Sequence, residues 1–145
     1  MGSHDQASSG RRQFQLTGSL ADLDRAISAI REAVRDAPTR DAGRAELLTD
    51  LGNALEVRFR RTGRSNDLDE AVSAHTAAGG IFRDLGDPQG QLQVLNNLGT
   101  VLPHAGHRQE ALGAVREAVE IRRRLAADDP DSFMPELAMS LNNLS

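Results

Sequence analysis

The chain has 145 residues, 39% of them hydrophobic and 26% charged, with a net charge of -4 and no cysteine. This is one ordinary domain or a short repeat array, and it excludes disulfides, thiolate metal ligation and a cysteine nucleophile. Mild acidity leaves no basic footprint for nucleic acid. No apolar run reaches the roughly 18–20 residues of a bilayer span, and with no visible signal peptide the expected location is cytoplasmic. All 17 basic residues are arginine, and Trp and Tyr are absent as well; this bias reads as GC-rich codon usage.

Met1-Gly2-Ser3-His4 reads as an expression remnant, and residues 1–11 are expected to be tag-derived and disordered. Beyond them every long segment has helical periodicity and none alternates with period two. Leu23, Ala26, Ile27, Ile30, Ala33 and Val34 form a first apolar stripe, with Ser19 or Asp22 to cap it and Ala37-Pro38 to end it. Leu48, Leu51, Leu55 and Phe59 form a second stripe, stopped by Gly63. The third runs from Leu68 through Ala71, Val72, Ala78, Gly79 and Phe82 to Leu85, closed by Gly86-Asp87-Pro88. Leu92, Leu95, Leu98 and Leu102 make the fourth, ending at Gly106 with Pro103 in its last turns. Ala111, Leu112, Val115, Ala118, Val119 and Leu125 make the fifth, ending near Asp129-Pro130. Leu137, Leu141 and Leu144 begin a sixth.

These stripes are copies of one unit. Residues Thr17 to Ile27, with Leu23-Asp24-Arg25-Ala26, return 45 positions later as Thr62 to Val72, with Leu68-Asp69-Glu70-Ala71. A looser copy lies at Ala105 to Leu112. Leu51-Gly52 is echoed by Leu98-Gly99, and Asn97-Leu98 by Asn143-Leu144. A period in the mid-forties marks stacked helical units rather than a closed core around one active site. Ala26, Ala71 and Ala111 recur at one place in each copy, where small side chains let two helices approach.

The run Leu95-Asn96-Asn97-Leu98-Gly99, then Gly106, Glu110-Ala111, Ala118-Val119-Glu120-Ile121-Arg122 and Asp129-Pro130 resembles the tetratricopeptide repeat (TPR) family. It is closest in character to the long-unit, kinesin-light-chain-like variant. The Leu-Asp-x-Ala copies resemble repeats of actinobacterial multi-domain proteins that carry caspase-like or ATPase domains elsewhere. The resemblance implies an all-α fold, a right-handed superhelical stack of antiparallel helix pairs. On that frame residues 12–40 are a partial first repeat, 41–87 the second, 88–130 the third and 131–145 the first helix of a truncated fourth. The large aromatics of the short consensus are replaced here by Leu95 and Leu102. Gly52 to Gly63 is four residues longer than Gly99 to Gly106, about one helical turn, so the second unit's first helix is expected to project Arg58, Phe59, Arg60 and Arg61 past its neighbour.

Family members hold extended peptides on the inner face of their first helices. Carried onto this chain, that concave face presents Glu46, Thr49, Asn53 and Glu56, then Gln93, Asn96 and Thr100, then Asn142. None is basic, which argues against a clamp for a C-terminal carboxylate. An Asn amide donates and accepts at once, so it can pair with a peptide backbone without reading side chains. The alternative is that one Asn of each pair bonds a neighbouring helix and only fixes the stack; peptide contact is expected first of Asn96 and Asn142 and less of Asn97 and Asn143.

Other singled-out residues receive structural readings. His75 falls where Ile30 and Val115 stand in the other copies, so a hydrogen-bonded core histidine is expected. Gly79 replaces Val34 and Val119, and with Gly80 it implies close helix packing, a small pocket or a joint. His104 and His107 lack a third ligand and read as a loop pair. Arg122-Arg123-Arg124 reads as a solvated face with internal ion pairs. Asp22, Asp24, Asp67 and Asp69 recur with the repeat and read as caps and dipole partners.

No catalytic constellation, phosphate loop, cofactor motif or metal site is legible. The expected function is a non-catalytic scaffold that binds a protein or peptide partner, with no nucleic acid or membrane partner. The alternative is a regulatory module of a larger bacterial enzyme, acting on that enzyme's own catalytic domain. Units cut at both ends expose apolar faces, so homo-oligomers through the terminal helices are expected.

Overall fold

The structure, a computed structural model, describes residues 19–128. Five helices follow one another: α1 (Leu20–Asp36), α2 (Ala42–Thr62), α3 (Ser65–Asp84), α4 (Pro88–His104) and α5 (Arg108–Asp128). Each packs on the next, and α2 additionally reaches α4, whereas α3 and α5 make no backbone approach. The described residues therefore form an all-α stack of antiparallel helices, an α-solenoid. None of their helices is long and apolar enough to cross a membrane.

Local chemistry sets the helix ends. The Ser19 hydroxyl accepts from the Asp22 N–H at 3.3 Å and starts α1, which settles the choice between the two expected caps. Pro38 follows its end, and the Arg44 guanidinium donates to the Val34 carbonyl at 2.5 Å, satisfying one of the last-turn acceptors. Asp41 caps α2 through the Gly43 N–H, and Asp87 caps α4 through the Gly90 N–H with Pro88 in the first turn. Gly63, Gly86 and Gly106, which follow α2, α3 and α4, all have positive φ (73°, 68° and 83°), a backbone conformation that side chains disfavour. The punctuation legible in the sequence is thus one turn device used three times.

Two clusters form the core. The larger runs from α1 to α4, with Leu23, Ile27, Ile30, Leu55, Val94 and Val101 almost wholly buried. Burying each such side chain contributes about 1.5–3 kcal/mol. The smaller joins α4 to α5 through Leu92, Leu95, Ala114, Ala118 and Ile121, and its alanines bring the helices together with less apolar surface.

At 21 residues α2 is four longer than the 17-residue α4, as the glycine spacing predicts. What the extra turn does differs from expectation. Arg58 does not project into solvent: its side chain is only 13% exposed. It donates to both oxygens of Asp67 on α3 at 3.0 and 2.9 Å and to Asp24 on α1 at 3.1 Å. Hydrogen bonding to Asp67, and then to Asp24, raises the guanidinium's pKa against the opposing effect of burial. Asp67 is accordingly a partner for Arg58 rather than a cap, and no side chain caps the start of α3. Phe59 is half-buried against the core, while Arg60 and Arg61 are exposed. A second bidentate pair, Arg31 to Glu70, ties α1 to α3.

Candidate functional site

Seven of the eight residues expected on the inner face lie on α2 and α4, and the structure sorts them. On α4, Gln93, Asn96 and Thr100 are all exposed along one side. The Thr100 hydroxyl donates to the Asn96 carbonyl at 3.1 Å, which leaves the Asn96 amide free, and Gln93 makes no hydrogen bond among the described residues. On α2, Glu46 is exposed without an ion pair and Asn53 is half-buried without a hydrogen bond among the described residues. Asn142 and its neighbour Asn143 lie outside the described residues.

Thr49 and Glu56 do not stand on the open face. Thr49 is buried and its hydroxyl donates to the Ala45 carbonyl at 3.0 Å, within its own helix. Glu56 is buried too, and its carboxylate accepts from Arg60 at 3.0 Å. The reason is helical phase. The open side of α2 follows Glu46, Asp50, Asn53 and Val57, at i, i+4, i+7 and i+11, and Thr49 and Glu56 fall on its inner margin. Asp50 and Val57 were therefore missed; continuing the apolar stripe of α2 around the helix would have identified them as its opposite side. Asn97, which occupies in α4 the place of Asp50 in α2, is half-buried, and its Nδ2 has no hydrogen-bond partner. The face so defined is acidic on α2 and made of neutral amides and a hydroxyl on α4. Among the described residues named, it presents hydrogen-bond donors and acceptors and no arginine or histidine.

Behind this face lies the seam between α2 and α3, where His75 is fully buried. It is not the hydrogen-bonded histidine expected, because neither Nδ1 nor Nε2 has a partner among the described residues. Its ring instead lies flat against the backbone of Gly52: a Cβ there would come within 2.5 Å of Nε2. Burial lowers the His75 pKa from 6.5 to about 4, so the ring is neutral at physiological pH. The contact is the repeat's own. In the next hairpin Gly99, the counterpart of Gly52, faces Val115, the counterpart of His75, with its Cβ position 3.5 Å from the valine methyl. Gly90 works similarly, since a Cβ there would meet the Phe82 ring at 2.3 Å. Gly52 and Gly99 were legible as repeat markers but not as seats for a side chain.

Gly79 packs closely on Val94, 3.2 Å from its Cβ position to the nearest methyl, as expected; Gly80 meets only the end of the Arg83 side chain, at 4.0 Å. His104 and His107 are exposed beside Gly106, and His107 Nδ1 lies 3.1 Å from the Glu110 carboxylate. In the arginine run, Arg123 pairs loosely with Glu120 at 3.9 Å, and Arg122 is half-buried rather than solvated.

Among solved structures, the chain is similar to the de novo designed helical repeat protein DHR64, with a TM-score of 0.61 and 19% identity over 98% of this chain and 77% of that one. It is also similar to the DHF79 filament, with a TM-score of 0.57 and 19% identity over 98% of this chain and 83% of that one. These likenesses show a helical repeat fold. No protein-family model matches the sequence, and no curated protein matches it either.

Proposed function

We propose that this protein is a non-catalytic interaction scaffold of the long-unit TPR type, which holds an extended peptide or protein segment along the exposed face of α2 and α4. The observation that carries this reading is the set of amides without a hydrogen bond among the described residues on the outer sides of consecutive units, Asn53 on α2 and Gln93 and Asn96 on α4. Asn53 on α2 corresponds to Thr100 on α4, and Gln93 and Asn96 stand on the same side, two turns and one turn before Thr100. Amides in a row satisfy a peptide backbone in either direction, and the adjoining acids Glu46 and Asp50 favour a segment with a basic or N-terminal group.

Selection of a displayed random-peptide library on the full chain tests the reading. The expected result is enrichment of extended peptides whose affinity falls about tenfold or more with Asn53→Ala and Asn96→Ala together, since each lost buried hydrogen bond weakens binding several-fold. Selected peptides that bind the double variant as tightly as the parent would contradict it.

A further inference from the structure

The side of α4 opposite Gln93, Asn96 and Thr100 carries a second feature. Leu95 and Leu98 lie about half a helical turn away from those residues. There they floor a cleft between α3 and α5, the two helices that make no backbone approach. The cleft consists of two adjoining hollows of about 180 and 350 Å³ that share Arg83, Gln91 and Glu117 in their walls. Its depth beside α3 comes from Gly80, where a side chain would find open space up to the Arg83 guanidinium. Arg83 on α3 and Arg124 on α5 line it from opposite walls, and neither forms an ion pair among the described residues. Both are exposed, and they lack the carboxylate partners that Arg58, Arg31 and Arg60 have. Glu117 is the single acid in the cleft, so two guanidiniums face one carboxylate over an apolar floor.

We infer that this cleft is a second docking surface, distinct from the α2/α4 face, for an acidic amphipathic helix that inserts a large apolar side chain over Leu95 and Leu98 and sets carboxylates against Arg83 and Arg124. The charge pattern selects the occupant. A basic helix would meet two unneutralised arginines, whereas an acidic one supplies the carboxylates that Arg31, Arg58 and Arg60 already have. Glu117 and Gln91 then face the polar side of the inserted segment. The missing side chain at Gly80 is what admits the apolar anchor. This inference stands independently of the proposed peptide-binding face, because the two sets of residues occupy opposite sides of α4.

The test uses fluorescence anisotropy with the full chain and two labelled helical peptides that share a leucine stripe, one carrying Glu and the other Lys at every charged position. The Glu peptide is expected to bind, with affinity falling as salt is raised, and the Lys peptide is expected to bind at least about tenfold more weakly. Gly80→Leu fills the recess and should weaken the Glu peptide about tenfold or more, without lowering thermal stability, since glycine is the poorer helix former. Arg83→Glu with Arg124→Glu should reverse the preference between the peptides, and this readout stands even if Gly80→Leu misfolds. Asn53→Ala with Asn96→Ala should leave the Glu peptide's affinity unchanged. The inference is overturned by no binding of the Glu peptide, equal binding of both, undiminished binding by folded Gly80→Leu, or loss of binding in the asparagine variant.

Discussion

In the α2–α3 hairpin a glycine of the first helix receives a histidine ring from the second; in the α4–α5 hairpin the matching glycine receives a valine. The frame is shared and the filling is not. Val115 makes an ordinary contact at 3.5 Å with the position a Gly99 Cβ would take, and it brings no polar atom. His75 presses where no Cβ could fit and buries two ring nitrogens without partners. The hairpins also differ in reach, because only α2 has the extra turn that places Arg58 between Asp67 and Asp24. The α2–α3 hairpin thus carries a polar liability at its centre and an ionic clamp at its end. The lesson is that repeat symmetry preserves where helices touch, while each unit chooses its own chemistry at the touching point.

The largest expected effect comes from removing the clamp. Arg58→Ala strands Asp67, a carboxylate whose side chain is 5% exposed, and should lower unfolding free energy by about 3–5 kcal/mol in urea denaturation. A loss under about 1 kcal/mol would show that the clamp does not distinguish the hairpins.

Acid should act on His75 nearly as strongly. The unfolded chain takes up a proton near pH 6.5, while the folded chain resists until about pH 4. The unfolded state therefore binds more protons within that window, and stability falls as pH falls through it. The full contribution is retained above pH 6.5, and about 3 kcal/mol is lost by pH 4. Denaturation of the wild type and of His75→Val across this range should show the difference between the two curves shrinking toward neutral pH. Parallel curves would remove His75 from the pH response.

Gly52→Ala should lose about 2 kcal/mol in the wild-type background, because the histidine ring has to move, and much less in His75→Val. Equal losses in both backgrounds would mean that the ring is not seated on Gly52. The smallest effect is expected at Gly80, where alanine meets no atom closer than 4.0 Å and should stabilise α3 by up to about 1 kcal/mol. Destabilisation by Gly80→Ala would indicate a closed joint in place of an open cleft.

The order and ends of the five described helices were legible in the sequence, because apolar stripes and Gly or Pro punctuation act locally; the sixth stripe, Leu137, Leu141 and Leu144, lies outside the described residues. Gly63, Gly86 and Gly106 stop their helices by backbone conformation alone, and the extra turn of α2 followed from glycine spacing. The inward phase of Thr49 and Glu56 follows from the apolar stripe of α2, whose opposite side carries Glu46, Asp50, Asn53 and Val57; the face implied by the family resemblance is offset from it. The partners of Arg58 lie 9 and 34 residues away, and a charge in a sequence does not announce which distant charge it meets. His75 was correctly placed inside by alignment with Ile30 and Val115. Its lack of a hydrogen bond was not foreseen, since burial of a histidine ordinarily implies a partner. Of the candidate face, the exposed α4 residues Gln93, Asn96 and Thr100 were read directly, because their stripe is opposite the one that binds the core.

Whether the α2–α3 hairpin is built around a neutral, unbonded ring is tested most directly by following the His75 ring proton by NMR as the intact protein is titrated with acid. A midpoint near pH 4, reached only as the fold begins to loosen, is the predicted result. A midpoint near 6.5 in the folded protein would contradict it, because that ring would be solvated or hydrogen-bonded rather than sealed against Gly52.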